Sequence, residues 1–120
     1  VLSTARLETR LVGALNHIVF QGVLDVRFNT DGNTIEIWDW KTNNVASSDH
    51  LQTIASAYHI QMCTYAWLCL RSYPECSTVR TRLVFTKAAS KGLHQIDHVQ
   101  EWKRENMEEM EEAMMRAVRK

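Results

Sequence analysis

Two aspartates and a lysine carry the most chemical information in this sequence. Gln21-Gly22-Val23-Leu24-Asp25 precedes Ile37-Trp38-Asp39-Trp40-Lys41-Thr42, and both runs read as strands. Asp39 and Lys41 are two positions apart, so a strand turns them to the same face. Between the runs, Asn29-Thr30-Asp31-Gly32-Asn33 is a hairpin signal, because Asp-Gly supplies the positive-φ positions of a tight turn. A three-residue loop centred on Gly32 pairs Asp25 with Asp39. A two- or four-residue loop pairs Asp25 with Trp38 instead, and a slip of one residue turns the carboxylates to opposite faces. Neighbouring ionised carboxylates repel each other by about 0.2–1 kcal/mol when exposed. A divalent cation between them reverses that cost, since hard oxygen ligands suit Mg²⁺ or Mn²⁺. A lysine on the same face can hold a water or stabilise charge developing on a phosphate. Acid, acid, lysine and metal together describe a phosphodiester-hydrolysing site. The plainer alternative is a surface ion pair between Asp39 and Lys41, worth at most about 1 kcal/mol.

The stretch that follows adds to the chemical reading. It contains Tyr58-His59-Ile60-Gln61-Met62-Cys63-Thr64-Tyr65, in which Gln61 and Tyr65 are at i and i+4 and Tyr58 at i−3, all on one helical face. Gly22-x-x-Asp25, then Asp39-x-Lys41-Thr42, then Gln61-x-x-x-Tyr65, in that order, resemble the RecB-like branch of the PD-(D/E)XK nucleases. The likeness covers about residues 18–70, and Thr78 to Val99 with a final helix looks like the end of the same domain. It is nearest to the C-terminal nuclease domains of RecB- and AddA-type helicase–nucleases; CRISPR-associated and phage exonucleases of that branch are also similar. The resemblance implies an α/β fold of restriction-endonuclease-like type, a mixed central sheet flanked by helices. It implies metal-dependent hydrolysis of DNA, as an exonuclease acting in recombination or repair, with a helicase domain or subunit as partner. By position, Asp25 and Asp39 would bind Mg²⁺ or Mn²⁺ together with the backbone carbonyl of Trp40. Lys41 would orient or polarise the attacking water, Gln61 and Tyr65 would help place DNA or the lysine, and Thr42 would assist.

One departure from the family pattern sets up an alternative. The family draws a further acidic or histidine ligand from a helix ahead of the Gly-x-x-Asp strand, whereas the 24 residues before Asp25 read as strand. Glu8 and His17 are the local candidates and both fit poorly; His17 would lie about 26 Å from Asp25 along a straight strand. The chain begins at Val1 without an initiator methionine, so residues 1–120 are expected to be the C-terminal part of the nuclease domain, the remaining ligand lying upstream. The alternative function is a catalytically inactive nuclease-fold domain that binds DNA or serves as a scaffold.

Other residues read more simply. Cys63, Cys69 and Cys76 lack zinc spacing. They are also not the C-terminal cysteine group that holds an iron–sulfur cluster in some relatives, so they are expected to be core thiols. Trp38 and Trp40, on the face opposite Asp39, are expected to pack under the sheet rather than stack on bases. Met107, Met110 and Met114 form a core-facing stripe, and Glu108 to Glu112 a solvated face. His94 and His98 read as surface residues. Arg71, Arg80, Arg82, Lys87 and Lys91 stand against the single acid Glu75, an excess that either tracks a phosphate backbone or belongs to a solvated hairpin.

The elements that must position these residues follow from pattern. Arg6 to Phe28 reads as one or two strands with Gly13 and Asn16 as bend points, the second strand starting near Ile18. A strand follows from Thr34 to Thr42, then a helix from His50 to Ser72 capped by Ser48 or Asp49 and ended before Pro74. Strands at Thr78–Thr86 and Leu93–Val99 flank a loop at Ala88–Gly92, and a helix from about Trp102 to Val118 closes the chain. With 120 residues, 45% hydrophobic, one proline and four glycines, the chain suits one folded domain and excludes disorder and collagen-like structure. No run approaches the roughly 20 apolar residues of a membrane span. Fourteen basic and fourteen acidic residues leave no net charge to steer DNA globally. An odd number of cysteines points to reduced thiols and a cytoplasmic setting.

Overall fold

The computed structural model describes residues 6–28, 33–90, 92–93 and 96–119. Strands β1 (Arg6–Leu15) and β2 (Ile18–Phe28) form a hairpin whose two-residue turn, Asn16-His17, has φ of 50° and 67°. Both turn residues are left-handed, as a tight hairpin with right-twisted strands requires, and Asn and His are among the side chains that tolerate it. Strand β3 (Thr34–Lys41) returns antiparallel to β2. The turn expected at Asn29–Asn33 lies, apart from Asn33, outside the described residues.

A crossover of two helices, α1 (Ser48–Ala57) and α2 (His59–Ser72), then carries the chain to β4 (Thr78–Phe85), which pairs parallel with β3. A parallel partner needs such a crossover because the chain must return to the same end of the sheet. After the short helix α3 (Thr86–Ser90), β5 (Asp97–Lys103) pairs antiparallel with β4. A 3-10 turn at Arg104–Asn106 leads into α4 (Met107–Val118). The sheet runs in chain order β1-β2-β3-β4-β5 and is mixed through the single parallel pair. This is the restriction-endonuclease-like α/β architecture that the resemblance implies.

Alternation along the strands sorts the two faces. Leu24, Val26, Ile35, Ile37, Leu83 and Phe85 are buried together with Leu51 of α1, Trp67 and Leu70 of α2 and Met114 of α4. The opposite face keeps Val12, Val19, Val23 and Trp40 exposed. Among the described residues no helix is long and apolar enough to cross a membrane.

Five local expectations change. The single helix expected from His50 to Ser72 breaks at Tyr58, whose ψ of 4° and amide bond to the Ala55 carbonyl at 3.0 Å tighten and end α1. Its cap is Ser47, one residue earlier than expected, whose hydroxyl accepts from the His50 amide. Ala88 begins no loop but lies buried in α3. The last strand is Asp97–Lys103 rather than Leu93–Val99, because buried Trp102 pairs with Val79 and donates its indole N–H to Thr81 Oγ1 at 2.9 Å. The closing helix therefore starts at Met107, not Trp102.

Trp38 and Trp40 correct a further expectation: they are not core residues. They stand on the open face, where Glu36 accepts from Trp38 Nε1 and from Arg80 and Arg82. Arg82 also binds Asp97, and Arg80 binds Glu101 at 3.0 Å. Burial raises the Glu36 pKa, but these hydrogen bonds and the Arg82 charge outweigh it and hold the carboxyl below its ordinary value.

Arg104 holds the end of α2. Its guanidinium donates to the carbonyls of Leu70 at 2.7 Å, Tyr73 at 2.9 Å and Cys76 at 2.8 Å. Those acceptors sit where a helix leaves carbonyls unpaired and its dipole favours a cation. Arg104→Ala is expected to cost about 2–3 kcal/mol in urea unfolding, with Arg104→Lys recovering only part because an ammonium lacks the planar fork. Glu36→Gln should lower stability at pH 7 by about 1–2 kcal/mol. The Glu36 contribution is full above its unfolded pKa of about 4.3 and is lost as pH falls through the lower folded value. Urea midpoints of the two proteins should therefore converge below about pH 4.

Candidate active site

The β2–β3 ladder runs from Phe28 opposite Ile35 to Asp25 opposite Trp38 and stops there. Beyond that point β2 stays with β1, and β3 stays with β4 as far as Lys41 opposite Phe85. The two strands therefore part and leave a cavity of about 280 Å³. Glu8, Asp25, Asp39, Trp38, Trp40 and Tyr65 are in its walls.

Asp25 thus takes the offset register, opposite Trp38 and not Asp39. The pleat assigns Asp25 to the open face and Asp39 to the helix face, yet both border the cavity because it lies where the strands separate. Glu8 is directly opposite Asp25 on β1. The strand character that counted against Glu8 is what brings it there: a two-residue turn at Asn16-His17 sets Leu15 against Ile18 and, seven pairs on, Glu8 against Asp25. His17 is in the turn at the far end of the hairpin.

Lys41 is tied from three directions. Its Nζ is 3.2 Å from Asp39 Oδ2, donates to Gln61 Oε1 at 3.4 Å, and lies 4.0 Å from the centre of the Tyr58 ring. Gln61 Nε2 donates to Tyr65 Oη at 3.2 Å, and Tyr58 Oη to Asn43 Oδ1 at 3.2 Å. The lysine and aspartate side chains are only 15% and 23% exposed, so their attraction is less screened than that of a surface pair. The Lys41 carbonyl accepts from Thr86 Oγ1 at 3.3 Å, which secures the end of β3. Thr42 lies just past the strand and is exposed. Asp39, Lys41, Gln61 and Tyr65 are thus joined in one chain of polar contacts, and Asp25 faces the same cavity across the gap.

Tyr58 sits at the junction of α1 and α2 and reaches Lys41 through the face of its ring. Its helical spacing from Gln61 was the available signal for it. Gly22 has a separate part: a Cβ placed there would come within 2.8 Å of the Tyr65 ring. The glycine of Gly-x-x-Asp is therefore the space into which Tyr65 fits.

In the basic stretch from Arg71 to Lys91, whose last residue lies outside the described residues, three arginines are engaged in internal contacts. Arg80 and Arg82 are paired with Glu36, Glu101 and Asp97, and Arg71 lies over the Trp67 ring at 5.4 Å. Cys63, Cys69 and Cys76 are free and buried. Burial pushes the Cys63 thiol up to about 11 and, with the neighbouring Cys76, the Cys69 thiol up to about 12.

A model of the PD-(D/E)XK nuclease superfamily matches residues 2–120. The chain belongs to that superfamily. Neither a curated protein nor a solved structure matches it. PD-(D/E)XK nucleases generally use divalent metal ions, and DNA is the substrate class that the family implies. Among the described residues no group of three or more His, Cys, Asp or Glu is arranged to hold a metal ion.

The Gly22–Tyr65 contact makes a prediction whose sign is decisive. Alanine in a strand with free space would stabilise by about 0.5–1 kcal/mol relative to glycine. In this PD-(D/E)XK domain Gly22→Ala should instead destabilise by about 1–3 kcal/mol through overpacking. Combining it with Tyr65→Leu should recover most of that loss in a urea-unfolding double-mutant cycle.

Proposed function

We propose that the chain is a divalent-metal-dependent deoxyribonuclease of the RecB-like branch, cleaving phosphodiester bonds at the parting of β2 and β3. The observation that carries this reading is the polar chain Asp39–Lys41–Gln61–Tyr65, whose two ends border a cavity that Asp25 also lines. A nuclease serving a helicase–exonuclease in recombination or repair is the setting in which such a domain is expected. Three cysteines that are free and buried support a reducing, cytoplasmic location.

The donor set fits Mg²⁺ or Mn²⁺. Mg²⁺ is commonly held by one or two carboxylates with waters and substrate phosphates completing its shell, so two aspartates suffice without an all-protein cage. Asp25 and Asp39 would hold the ion, with the Trp40 carbonyl, and Glu8 is a further oxygen donor in the same wall. When bound, the ion neutralises charge developing on the phosphate and lowers the pKa of water. Lys41 then orients the attacking water by donating a hydrogen bond to it, and its ammonium stabilises negative charge at the reacting phosphate oxygens. Gln61, with Tyr65 behind it, keeps the lysine aimed, while the Tyr58 ring covers another side of the ammonium.

An inactive DNA-binding or scaffolding domain is the second reading. It is favoured by the Asp39 carboxylate already pairing with Lys41 and by the lack of a three-ligand cluster among the described residues. Calorimetry with Mn²⁺ separates the two. The nuclease reading expects about one equivalent bound by the wild type and none by Asp39→Asn. It also expects Mg²⁺-dependent DNA cleavage that falls by about 10²–10³-fold in Lys41→Ala. A folded wild-type chain that neither binds Mn²⁺ nor cleaves DNA establishes the inactive reading.

A further inference from the structure

The open face of β3 holds an aromatic pair whose placement packing does not explain. Trp67 is fully buried and Trp102 is 8% exposed, but Trp40 is 49% exposed and borders the cavity beside Asp39. Trp38 is fixed behind it: its indole N–H is bonded to Glu36, the Arg82 guanidinium lies 5.3 Å from its ring centre, and its ring is 5.7 Å from that of Trp40. Glu36 and Arg82 are in turn bound to each other and to Arg80 and Asp97. The result is a braced indole at the rim of a cavity whose wall carries the candidate metal-binding carboxylates.

We propose that Trp40, braced by Trp38, stacks an unpaired nucleobase adjacent to the phosphate that a divalent ion at Asp25 and Asp39 would hold, so that the site selects single-stranded DNA or a frayed end. The proposal rests on the nuclease reading of that cavity. A nucleotide carries its base one sugar away from its phosphate, which matches an aromatic face on the rim and carboxylates in the wall of one cavity. A base inside a duplex already has stacked neighbours above and below, so only an unpaired base can use the indole face. Arg80 and Arg82 are neutralised by Glu36, Asp97 and Glu101, so neither is a free cation for a backbone beside Trp40. The Trp40 contribution to binding is therefore insensitive to base identity and little affected by salt.

The test measures fluorescence anisotropy of labelled, cleavage-resistant phosphorothioate oligothymidine of twelve nucleotides with the 120-residue chain in Ca²⁺, a hard cation that suits carboxylate oxygens. Trp40→Ala should weaken binding by about 5- to 100-fold and Trp40→Phe by much less. The same Trp40→Ala change should leave affinity for an abasic strand of equal length unaltered. Trp40→Leu keeps apolar bulk without a π-face, so it should behave like alanine and decides the matter if the alanine variant does not fold. Equal losses on normal and abasic strands, equal affinities of the leucine and phenylalanine variants, or no oligothymidine binding by the folded wild type would each overturn the proposal. Cleavage in Mg²⁺ scores the nuclease reading separately. Base-dependent binding without cleavage leaves the platform standing and removes the nuclease, whereas cleavage with Trp40→Ala affecting single and double strands alike does the reverse.

Discussion

Helix α2 lies against the β1–β2 hairpin at two glycines. A Cβ on Gly13 would meet the Trp67 ring and the Arg71 chain at 2.9 Å, and one on Gly22 the Tyr65 ring at 2.8 Å. Because interiors are packed at crystal-like density, a single extra carbon at either position forces a neighbour to move. This close approach sets the height of α2 above the sheet. That height decides whether Gln61, bonded to Tyr65, reaches Lys41 at the end of β3. The C-terminal end of α2 is held further by Arg104, which takes the Leu70 carbonyl in its last turn and the Tyr73 and Cys76 carbonyls beyond it. A helix pinned along its second half presents Gln61 and Tyr65 with little freedom.

Charge is distributed in two different ways on the two faces. On the open face, Glu36, Arg80, Arg82, Asp97 and Glu101 satisfy one another across three strands, and their chief effect is to hold the strands and Trp38 in register. At the cavity, Glu8, Asp25 and Asp39 line the walls, with Lys41 paired to Asp39. Lys41 is the cation that the structure pairs with Asp39. An arrangement of acids gathered around a gap costs repulsion that a hard cation would relieve, and this separates the cavity wall from the self-neutralised ladder.

The parting of β2 and β3 has its own physical cause. Each strand has a better partner beyond Asp25 and Trp38: β2 continues its tight hairpin with β1, while β3 continues the parallel pairing that delivers Ile37, Asp39 and Lys41 opposite Thr81, Leu83 and Phe85. Sheet twist accumulates between two such pairs and opens the seam between them. A seam of this kind exposes backbone and side chains from both faces at one place, so carboxylates of opposite parity border the same opening.

How much of this was legible in the sequence depended on whether the signal was local. The motif spacing, the strands around Asp25 and Asp39, the Met stripe of α4 and the superfamily were all readable, because alternation, helical period and turn residues act within a few positions. Asn16 was readable as a bend because few side chains tolerate a left-handed backbone. The break at Tyr58 was not, since no proline or glycine marks it and Tyr58 is held by Asn43 and Lys41, both outside its own helix. Trp102 was assigned to a helix because its bond to Thr81 lies 21 residues away. The tryptophans of β3 were expected in the core because aromatic residues usually gain most by burial, and only the sheet with its helices on one side leaves them outside. The sequence by itself determined which residues are candidates for chemistry and on which elements they lie. Only the tertiary structure decided the register that faces Asp25 with Trp38 and Glu8, and the seam that brings Asp39 to the same cavity, because strand pairing over long separations is settled by packing and not by any local preference.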